Sequence, residues 1–242
     1  MIKAPIKLQD LQKKIYIKAK ADKLHKFWGI YVHIYKMETL KQAYSLAKRN
    51  NGAPGIDRVT FGMIEAKGVD AFLMRIQEEL RTETYQPLAT RKQAIPKSNG
   101  KVRILSIPAI RDRVVQAAMK LILEPIFEAD FQHGSYGYRP TKDPQKAISS
   151  MQQAILLQKT KVIDVDIKAY FDSVRHDILF KQIAEKVQDN QVMHLLKLTC
   201  KASGKRGIPQ GGPLSPLLAN IFLNDVDKTN ETITSYIPSI GY

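Results

Sequence analysis

The sequence is poor in cysteine, in long apolar runs and in acidic residues. Cys200 is the single cysteine among 242 residues, which excludes an internal disulfide and a cysteine-based zinc site. No apolar run approaches the roughly 20 residues that span a bilayer, and the first residues have no apolar core of a secretory signal. These absences predict a protein of a reducing cytoplasm that is not secreted and does not span a membrane.

The shortage of acidic residues leaves a large positive charge. The chain has 38 Lys and Arg against 23 Asp and Glu, a formal net charge of +15. This excess predicts a polyanionic partner, with nucleic acid as the first choice and a ribosome-like basic surface or an anionic membrane as alternatives. Because 44% of the residues are apolar, the chain can bury a core and is expected to be globular.

One short segment carries an unusual pair of carboxylates. The β-branched residues of segment 162–167 predict a strand, in which Asp164 and Asp166 point to the same face. Two adjacent carboxylates repel each other and need compensation, for which a divalent cation is the strongest choice. The pair indicates either a magnesium site for phosphoryl transfer or a strand end with both carboxylates solvated.

A second segment, 207–223, is rich in Gly and Pro at its start and apolar at its end. Together with Asp166 and Phe171, it resembles the reverse transcriptase family, most closely the proteins encoded by bacterial group II introns. Four further blocks in the family's order carry the same resemblance: Asn51–Asp57, Ile95–Arg103, Asp112–Gln116 and Ser135–Pro140. The resemblance extends over most of the chain and points to a prokaryotic mobile element.

The resemblance implies an α/β fold of the α+β type. This fold would contain the fingers and a partial palm of a right-hand polymerase, with an antiparallel sheet backed by helices. The implied division has basic RNA-contact helices over residues 1–49, fingers over residues 50–160 and a partial palm over residues 161–242.

The resemblance also assigns residues of a polymerase site. Asp166 is the implied catalytic residue and Mg²⁺ ligand, joined by the carbonyl of Ile167, whereas Asp164 is not expected to bind the metal directly. Phe171 is implied to lie beneath the sugar and to exclude a 2′-hydroxyl by its bulk. Gln210 is implied to contact the nucleotide or the primer–template from the opposite side.

A β-hairpin is predicted over residues 95–108, with a turn at residues 98–100. Arginine can fork across phosphate oxygens and lysine adds a point charge. The resemblance implies that this hairpin closes on the incoming dNTP and that Lys97 and Arg103 contact it. The alternative is an exposed, solvated hairpin.

Positive charge is dense in the first 49 residues. The segment contains Lys13, Lys14, Lys18 and Lys20, with Tyr16, Trp28, Tyr31 and Tyr35 interleaved. Lysines bind phosphates, and aromatic rings stack on unpaired bases. The segment is predicted to contact RNA, and the alternative is a solvated helix face whose aromatic residues belong to the core.

Three arginines further along are also nucleic-acid candidates. Arg111 and Arg113 open a helix predicted over residues 111–128 and interrupted at Pro125, and both are expected to stay outside, near a template. Arg139 lies in a loop with two tyrosines, an arrangement suited to stacking and backbone contact.

Helix signals predict the scaffold. Asp70 and Asp143 are expected to cap helices, and Pro144 suits a first helical turn. Four apolar stripes are predicted to face the core: Phe72, Ile76 and Leu80; Ile148, Met151 and Ile155; Leu179, Ile183 and Val187; and Leu218, Ile221 and Phe222. His176 is predicted to cap a helix or to form a buried hydrogen bond.

The family's second metal-binding block, an aromatic-Ala-Asp-Asp hairpin, has no counterpart after Asp227. We therefore expect a truncated or frameshifted reading frame, and three hypotheses stay open. The chain is an RNA-directed DNA polymerase and maturase that binds group II intron RNA, primer–template and dNTP, with a second polypeptide completing the palm and thumb. Alternatively, it is a non-catalytic fragment that binds intron RNA, or a remnant without a role.

Overall fold

The structure is a computed structural model that describes residues 6–96, 102–159, 162, 164–201 and 204–236. The elements of this part of the chain are α1 (Ile6–Ala21), α2 (Tyr31–Ile34), α3 (Met37–Arg49), α4 (Phe61–Lys67), α5 (Val69–Arg81), β1 (Arg91–Pro96), β2 (Val102–Ile107), α6 (Ile110–Glu128), α7 (Pro144–Leu156), α8 (Tyr170–Ser173), α9 (His176–Ala184), α10 (Asn190–Lys201) and α11 (Ser215–Tyr236). This helix-rich α/β fold with a small antiparallel sheet confirms the predicted fold class. Within these elements, no helix is long and apolar enough to cross a membrane.

Helix α6 lies at the centre of the core. Residues on all its sides are buried, including the four consecutive residues Val114, Val115, Gln116 and Ala117, as expected for a helix that packs against several neighbours. Helices α1, α2, α3 and α11 all pack against it. Residues 6–49 therefore share the core of the following segments, whereas the predicted domain boundaries stay a prediction.

The predicted interruption of α6 at Pro125 is wrong. Proline has no N–H to donate to the carbonyl four residues earlier, which is that of Leu121. The side chain of Gln12 in α1 replaces the missing donor, because its Nε2 donates to the Leu121 carbonyl at 2.9 Å. The helix continues to Glu128.

The region before the hairpin contains two helices, α4 and α5. Thr60 caps α4 by accepting a hydrogen bond from the backbone N–H of Met63. Asp70 does not cap α5, contrary to the prediction: it lies inside the first turn and forms an ion pair with Lys41 at 2.8 Å. Ile76 and Leu80 are buried as predicted.

The predicted hairpin is confirmed, although its first strand begins earlier, at Arg91. The two strands are antiparallel, with Arg91 opposite Ile107 and Pro96 opposite Val102. The predicted turn at residues 98–100 lies outside the described residues.

The predicted strand at residues 162–167 is wrong. Residues 162 and 164–167 have no regular secondary structure, and Val162 and Val165 are 79% and 76% exposed. A strand requires a neighbour for its backbone hydrogen bonds, but β1 and β2 form the one sheet of the described residues and pair only with each other. Ile163 lies outside the described part.

Helix α7 begins as predicted but does not pack as predicted. Asp143 accepts a hydrogen bond from the backbone N–H of Lys146 at 2.8 Å, and Pro144 occupies the first turn. Ile148, Met151 and Ile155, expected in the core, are 56%, 62% and 60% exposed. Their spacing creates an apolar face, but no other described element covers it.

The stripe of α9 is confirmed, because Leu179, Ile183 and Val187 are at most 1% exposed. The stripe of α11 is confirmed by buried Leu218 and Ile221. His176 also behaves as predicted: its Nε2 forms a 2.6 Å hydrogen bond with the Gly207 carbonyl, which ties α9 to the loop before α11.

Candidate functional site

A cleft of about 470 Å³ separates the hairpin from the loop that precedes α11. Its lining residues come from six places: the end of α3 with the loop at residues 50–53, strand β2 with Pro108, Arg113 in α6, Tyr138, Phe171 in α8, and residues 210–216. The cleft therefore joins four of the sequence blocks that first indicated a polymerase, at residues 51–57, 112–116, 135–140 and 207–223. Phe171 and Gln210 both line it, and their contacts with a nucleotide stay predictions.

Phe171 is held in the cleft wall by its neighbours. Tyr170 donates a hydrogen bond from its hydroxyl to the Ala219 carbonyl at 2.7 Å, and burial raises the pKa of Tyr170, so this hydroxyl keeps its proton. The Phe171 carbonyl accepts from the N–H of Ile208 at 2.8 Å. Helix α8 is thereby attached to α11 on one side and to the loop on the other.

Two glycines allow the loop before α11 to approach α8 and strand β2 closely. Gly207 has φ +86°, and a Cβ there would lie 2.9 Å from the Phe171 carbonyl oxygen. Gly211 has φ +110°, and a Cβ there would lie 2.9 Å from the Ser106 carbonyl oxygen. Because glycine alone accepts such φ values and such contacts without cost, the Gly-rich pattern of this segment has a direct structural cause.

Gln210 lies between the two sides of the cleft. Its backbone carbonyl accepts from the N–H of Ser106 in β2 at 3.2 Å. Its side-chain Nε2 donates to the Asp172 carboxylate at 3.1 Å. The residue therefore connects the hairpin to α8, and Asp172 is a neighbour that sequence reasoning did not assign to the site.

Arg113 forms the base of the cleft rather than an outer surface, which corrects the expectation for this residue. It is 8% exposed, and it donates to the carbonyls of Pro108 at 2.9 Å and Gly52 at 3.0 Å, and also to that of Ala53. A guanidinium has five N–H donors in a fixed fork, so one arginine can fasten the loop at residues 50–53 to α6.

The other two arginine candidates are also held by the protein. Arg111 forms an ion pair with Glu79 and lies over the Tyr85 ring at 5.1 Å. Arg139 is 8% exposed and forms an ion pair with Glu128 at 2.7 Å. Arg139 is therefore buried and not at the surface, whereas Arg111 is partly exposed. Partly buried carboxylates compensate both charges, and nucleic-acid binding by these two arginines stays a prediction.

Asp164 and Asp166 are both exposed. Neither forms an ion pair with another described residue, and no group of three or more His, Cys, Asp or Glu in the described part could hold a metal ion. Mg²⁺ is commonly bound through one or two carboxylates plus substrate phosphates. Asp166 and the Ile167 carbonyl therefore fit one part of a magnesium site and leave the remaining ligands to other groups.

The hairpin residues expected at the nucleotide are only partly described. Lys97 lies outside the described residues. The backbone of Arg103 pairs with Ile95 in the hairpin register, whereas its side chain lies outside the described part. Strand β2 leads from these positions to Leu105, Ser106 and Ile107, which line the cleft.

The four candidate lysines of α1, Lys13, Lys14, Lys18 and Lys20, are all exposed. Of the interleaved aromatic residues, Trp28 is 76% and Tyr16 39% exposed, whereas Tyr31 is buried and donates its hydroxyl to the Leu80 carbonyl at 2.6 Å. Tyr35 packs partly against the core. The predicted mixture of charge and exposed rings is therefore reduced to the lysines, Tyr16 and Trp28.

Several cleft residues were missed by sequence reasoning. Tyr138, Pro213 and Pro216 line the cleft, although they are distant in sequence from Phe171. Tyr138 belongs to the block at residues 135–140, and both prolines belong to the segment at residues 207–223. No periodicity predicts that these two parts of the chain meet.

Comparisons with known proteins show the family to which the chain belongs. Residues 95–237, more than half of the chain, match the family described as reverse transcriptase (RNA-dependent DNA polymerase). The protein YkfC of Escherichia coli K12 is 38% identical over 236 residues, which cover 91% of this chain and 62% of YkfC. The group II intron-encoded protein LtrA of Lactococcus lactis is 32% identical over 215 residues, covering 84% of this chain and 35% of LtrA.

A solved structure, a partial Cas6-RT-Cas1–Cas2 complex, is similar to 82% of this chain at 24% identity with a TM-score of 0.46, and the match covers 34% of that structure's chain. The chain thus spans less than two thirds of the length of YkfC and about a third of that of LtrA. On the match of residues 95–237, the chain belongs to the reverse transcriptase family, in the group that includes group II intron-encoded maturases.

Proposed function

We propose that this chain provides the fingers and part of the palm for RNA-directed DNA synthesis on group II intron RNA. The proposal depends chiefly on the cleft in which Phe171 and Gln210 face strand β2 and the loop at residues 50–53. The ligands of this region are the incoming dNTP and the primer–template, and the intron RNA binds to the basic surface of α1.

The cleft suggests how the nucleotide is positioned. Phe171 would lie against the sugar, where its ring leaves no room for a 2′-hydroxyl. Gln210, oriented by Asp172, would contact the nucleotide from the loop side. Lys97 and Arg103 would reach the triphosphate when the hairpin closes.

Asp166 and the Ile167 carbonyl would hold Mg²⁺, which supports attack of a 3′-hydroxyl on an α-phosphate. A single carboxylate cannot hold two such ions at a fixed spacing, because Mg²⁺ loses its water reluctantly and requires anionic ligands. We therefore include in the proposal a second polypeptide that contributes the remaining acidic ligands.

The test is primer extension on an RNA template in a reconstituted polymerase that contains this chain. Asp166→Ala should abolish extension, whereas Asp164→Ala should preserve part of it. Equal and complete loss in both variants would show that the metal-ligand assignment is too narrow. Extension unaffected by Asp166→Ala would contradict the assignment of the site itself.

A second candidate function is RNA binding without chemistry. It is favoured by the four exposed lysines of α1 together with the absence of a metal-ligand cluster among the described residues. Purified 242-residue chain with Mg²⁺ and an annealed RNA template should then give no extension above background. Extension that disappears in Asp166→Ala would show that this polypeptide is a complete polymerase.

A cytoplasmic location in a prokaryote remains a prediction, which fits an RNA partner and a single buried cysteine. Fractionation of the native cells with an antibody against the chain would test it.

A further inference from the structure

A second cleft of about 510 Å³ adjoins the first. It lies among the C-terminal end of α3, the middle of α6 and the loop at residues 138–140. Both clefts are lined by Ala47, Asn50, Tyr138, Pro213 and Pro216. The two clefts therefore form a continuous groove, with Tyr138 at the place where they meet.

Tyr138 is an exposed ring on a rigid support. It is 74% exposed and has φ +55°, a left-handed conformation that non-glycine residues rarely adopt. Its two neighbours hold the backbone there. Asn220 in α11 donates to the Gly137 carbonyl at 2.7 Å, and Arg139 is fastened to Glu128 on α6.

Such a backbone outlier, with surroundings that enforce it, is typical of ligand-contacting positions. The ring itself contributes little to the core, because three quarters of its surface faces solvent. An exposed, rigidly supported aromatic residue next to a groove is the arrangement on which single-stranded nucleic acids stack their bases.

The charge of the second cleft points to an anionic ligand. Lys120 forms an ion pair with Glu124 at 3.4 Å, and Arg139 forms one with Glu128. Arg49 also lines this cleft, is exposed, and forms no ion pair with another described residue. Arg49 is therefore the cation of this cleft whose charge no carboxylate of the described residues compensates, and it can bind a phosphate.

We infer that an unpaired base of a single-stranded nucleic acid stacks on Tyr138 and that an adjacent phosphate binds Arg49. The strand would pass from the first cleft into the second, so the groove guides single-stranded template next to the nucleotide. This inference rests on the proposed function, since it extends the same site. A base in the interior of a duplex cannot occupy the position, because neighbouring base pairs cover both of its faces.

Binding of fluorescently labelled single-stranded RNA, measured by anisotropy, tests the inference on the full chain. Tyr138→Ala should weaken binding roughly tenfold, as loss of one stacked base does, whereas Tyr138→Phe should bind as the wild type does. Tyr136→Ala is the matched control, because Tyr136 belongs to the same loop but packs against Lys142 at 4.7 Å. Arg49→Gln should reduce the slope of log affinity against log salt by roughly 1.

Folding and stacking are separated by two further variants. Tyr138→Gly removes the ring and also accepts φ +55° without cost, so it should lose binding without losing thermal stability. The chain has a single tryptophan, Trp28, so a Trp28→Phe, Tyr138→Trp variant carries its one tryptophan at the groove. Its fluorescence should be quenched by single-stranded RNA.

The outcomes distinguish this inference from the proposed function. If wild-type chain does not bind RNA, the proposed function fails. If wild-type chain binds and Tyr138→Ala binds equally well, or if the Tyr138→Trp reporter is not quenched, the stacking role is overturned while the proposed function stands. Equal losses in Tyr136→Ala and Tyr138→Ala would also reject a specific role for Tyr138.

Discussion

At the scale of single residues, the fold itself uses all three arginines that looked available for nucleic acid. Arg113 donates to three backbone carbonyls, and Arg111 and Arg139 form ion pairs with Glu79 and Glu128. An arginine can fasten a loop because its guanidinium has many donors in a rigid plane. Sequence alone does not distinguish this use from phosphate binding, since both require the same side chain.

Phe171 gives a test at this scale. Phe171→Ala in a reconstituted polymerase should relax discrimination against ribonucleotides, because removal of the ring opens space next to the sugar in the cleft. The measurement is the ratio of kcat/KM for dNTP and rNTP. Leu195→Ala in α10 is a suitable control, because it opens a buried site that does not line the cleft. If general loosening of the fold relaxed the discrimination, Leu195→Ala would relax it as well. Unchanged selectivity in Phe171→Ala would remove the residue from this role.

Glu124 gives a prediction of pH dependence. Burial raises the pKa of Glu124 above its ordinary value of 4.5, despite its ion pair with Lys120. The folded protein therefore holds this proton more tightly than the unfolded chain, and its contribution to stability is full below pH 4.5 and is lost as the pH rises through the folded pKa. Glu124→Gln should gain thermal stability relative to the wild type between pH 4 and pH 7.

The control for this prediction is Glu78, whose pKa is lowered by its hydrogen bonds from Arg81. The thermal stability of Glu78→Gln relative to the wild type should fall as the pH rises, with a small amplitude because the pair is exposed. Thermal melts of the three proteins at several pH values provide the comparison. A difference in thermal stability between Glu124→Gln and the wild type that does not vary with pH would show that the raised pKa of Glu124 is not its cause.

At the scale of elements, local signals predicted where helices begin better than what covers them. Asp143 and Pro144 start α7 as expected, but the apolar face formed by Ile148, Met151 and Ile155 remains exposed. Capping depends on neighbours in sequence, whereas burial depends on a partner that no local pattern identifies. The same reason explains segment 162–167, whose composition favours a strand but which pairs with no described strand.

The contact between α1 and α6 gives a prediction for an element. Gln12→Ala should destabilise the protein by about 1 kcal/mol, because the Leu121 carbonyl then loses its donor. Pro125→Ala restores a backbone N–H that can donate to this carbonyl, so the same Gln12→Ala change should cost less in that background. Urea unfolding of the four proteins gives the coupling energy. Equal costs in both backgrounds would show that Gln12 does not replace the missing helix bond.

At the scale of the whole molecule, the basic N-terminal segment is part of the core. Leu8, Ile15, Ile34 and Leu40 are buried in the same cluster as α6. Deletion of residues 1–49 would therefore remove core side chains as well as lysines, so loss of RNA binding by such a variant would not identify the binding surface. Exposed charges must be changed instead.

We predict that the affinity for intron RNA falls steeply with salt, because a chain of net charge +15 releases counterions when it binds phosphates. Replacing Lys13 and Lys14 with Gln should weaken binding to structured intron RNA and reduce the salt slope by roughly 2. The control is Lys41→Gln, which removes a lysine that forms an ion pair with Asp70. An affinity that is constant between low and physiological salt would reject electrostatic binding.

The sequence by itself determined the family, the α/β class and the hairpin, because motifs and turn signals are local and keep their order along the chain. It also selected Phe171 and Gln210, which line one cleft and whose roles stay predictions. Tertiary structure decided which blocks meet in one cleft, which arginines are consumed inside the fold, and which apolar faces stay uncovered. These outcomes depend on contacts between residues distant in sequence, such as Gln12 with Leu121 and Ser106 with Gln210. Such contacts follow from the packing of whole elements, so no local pattern contains them.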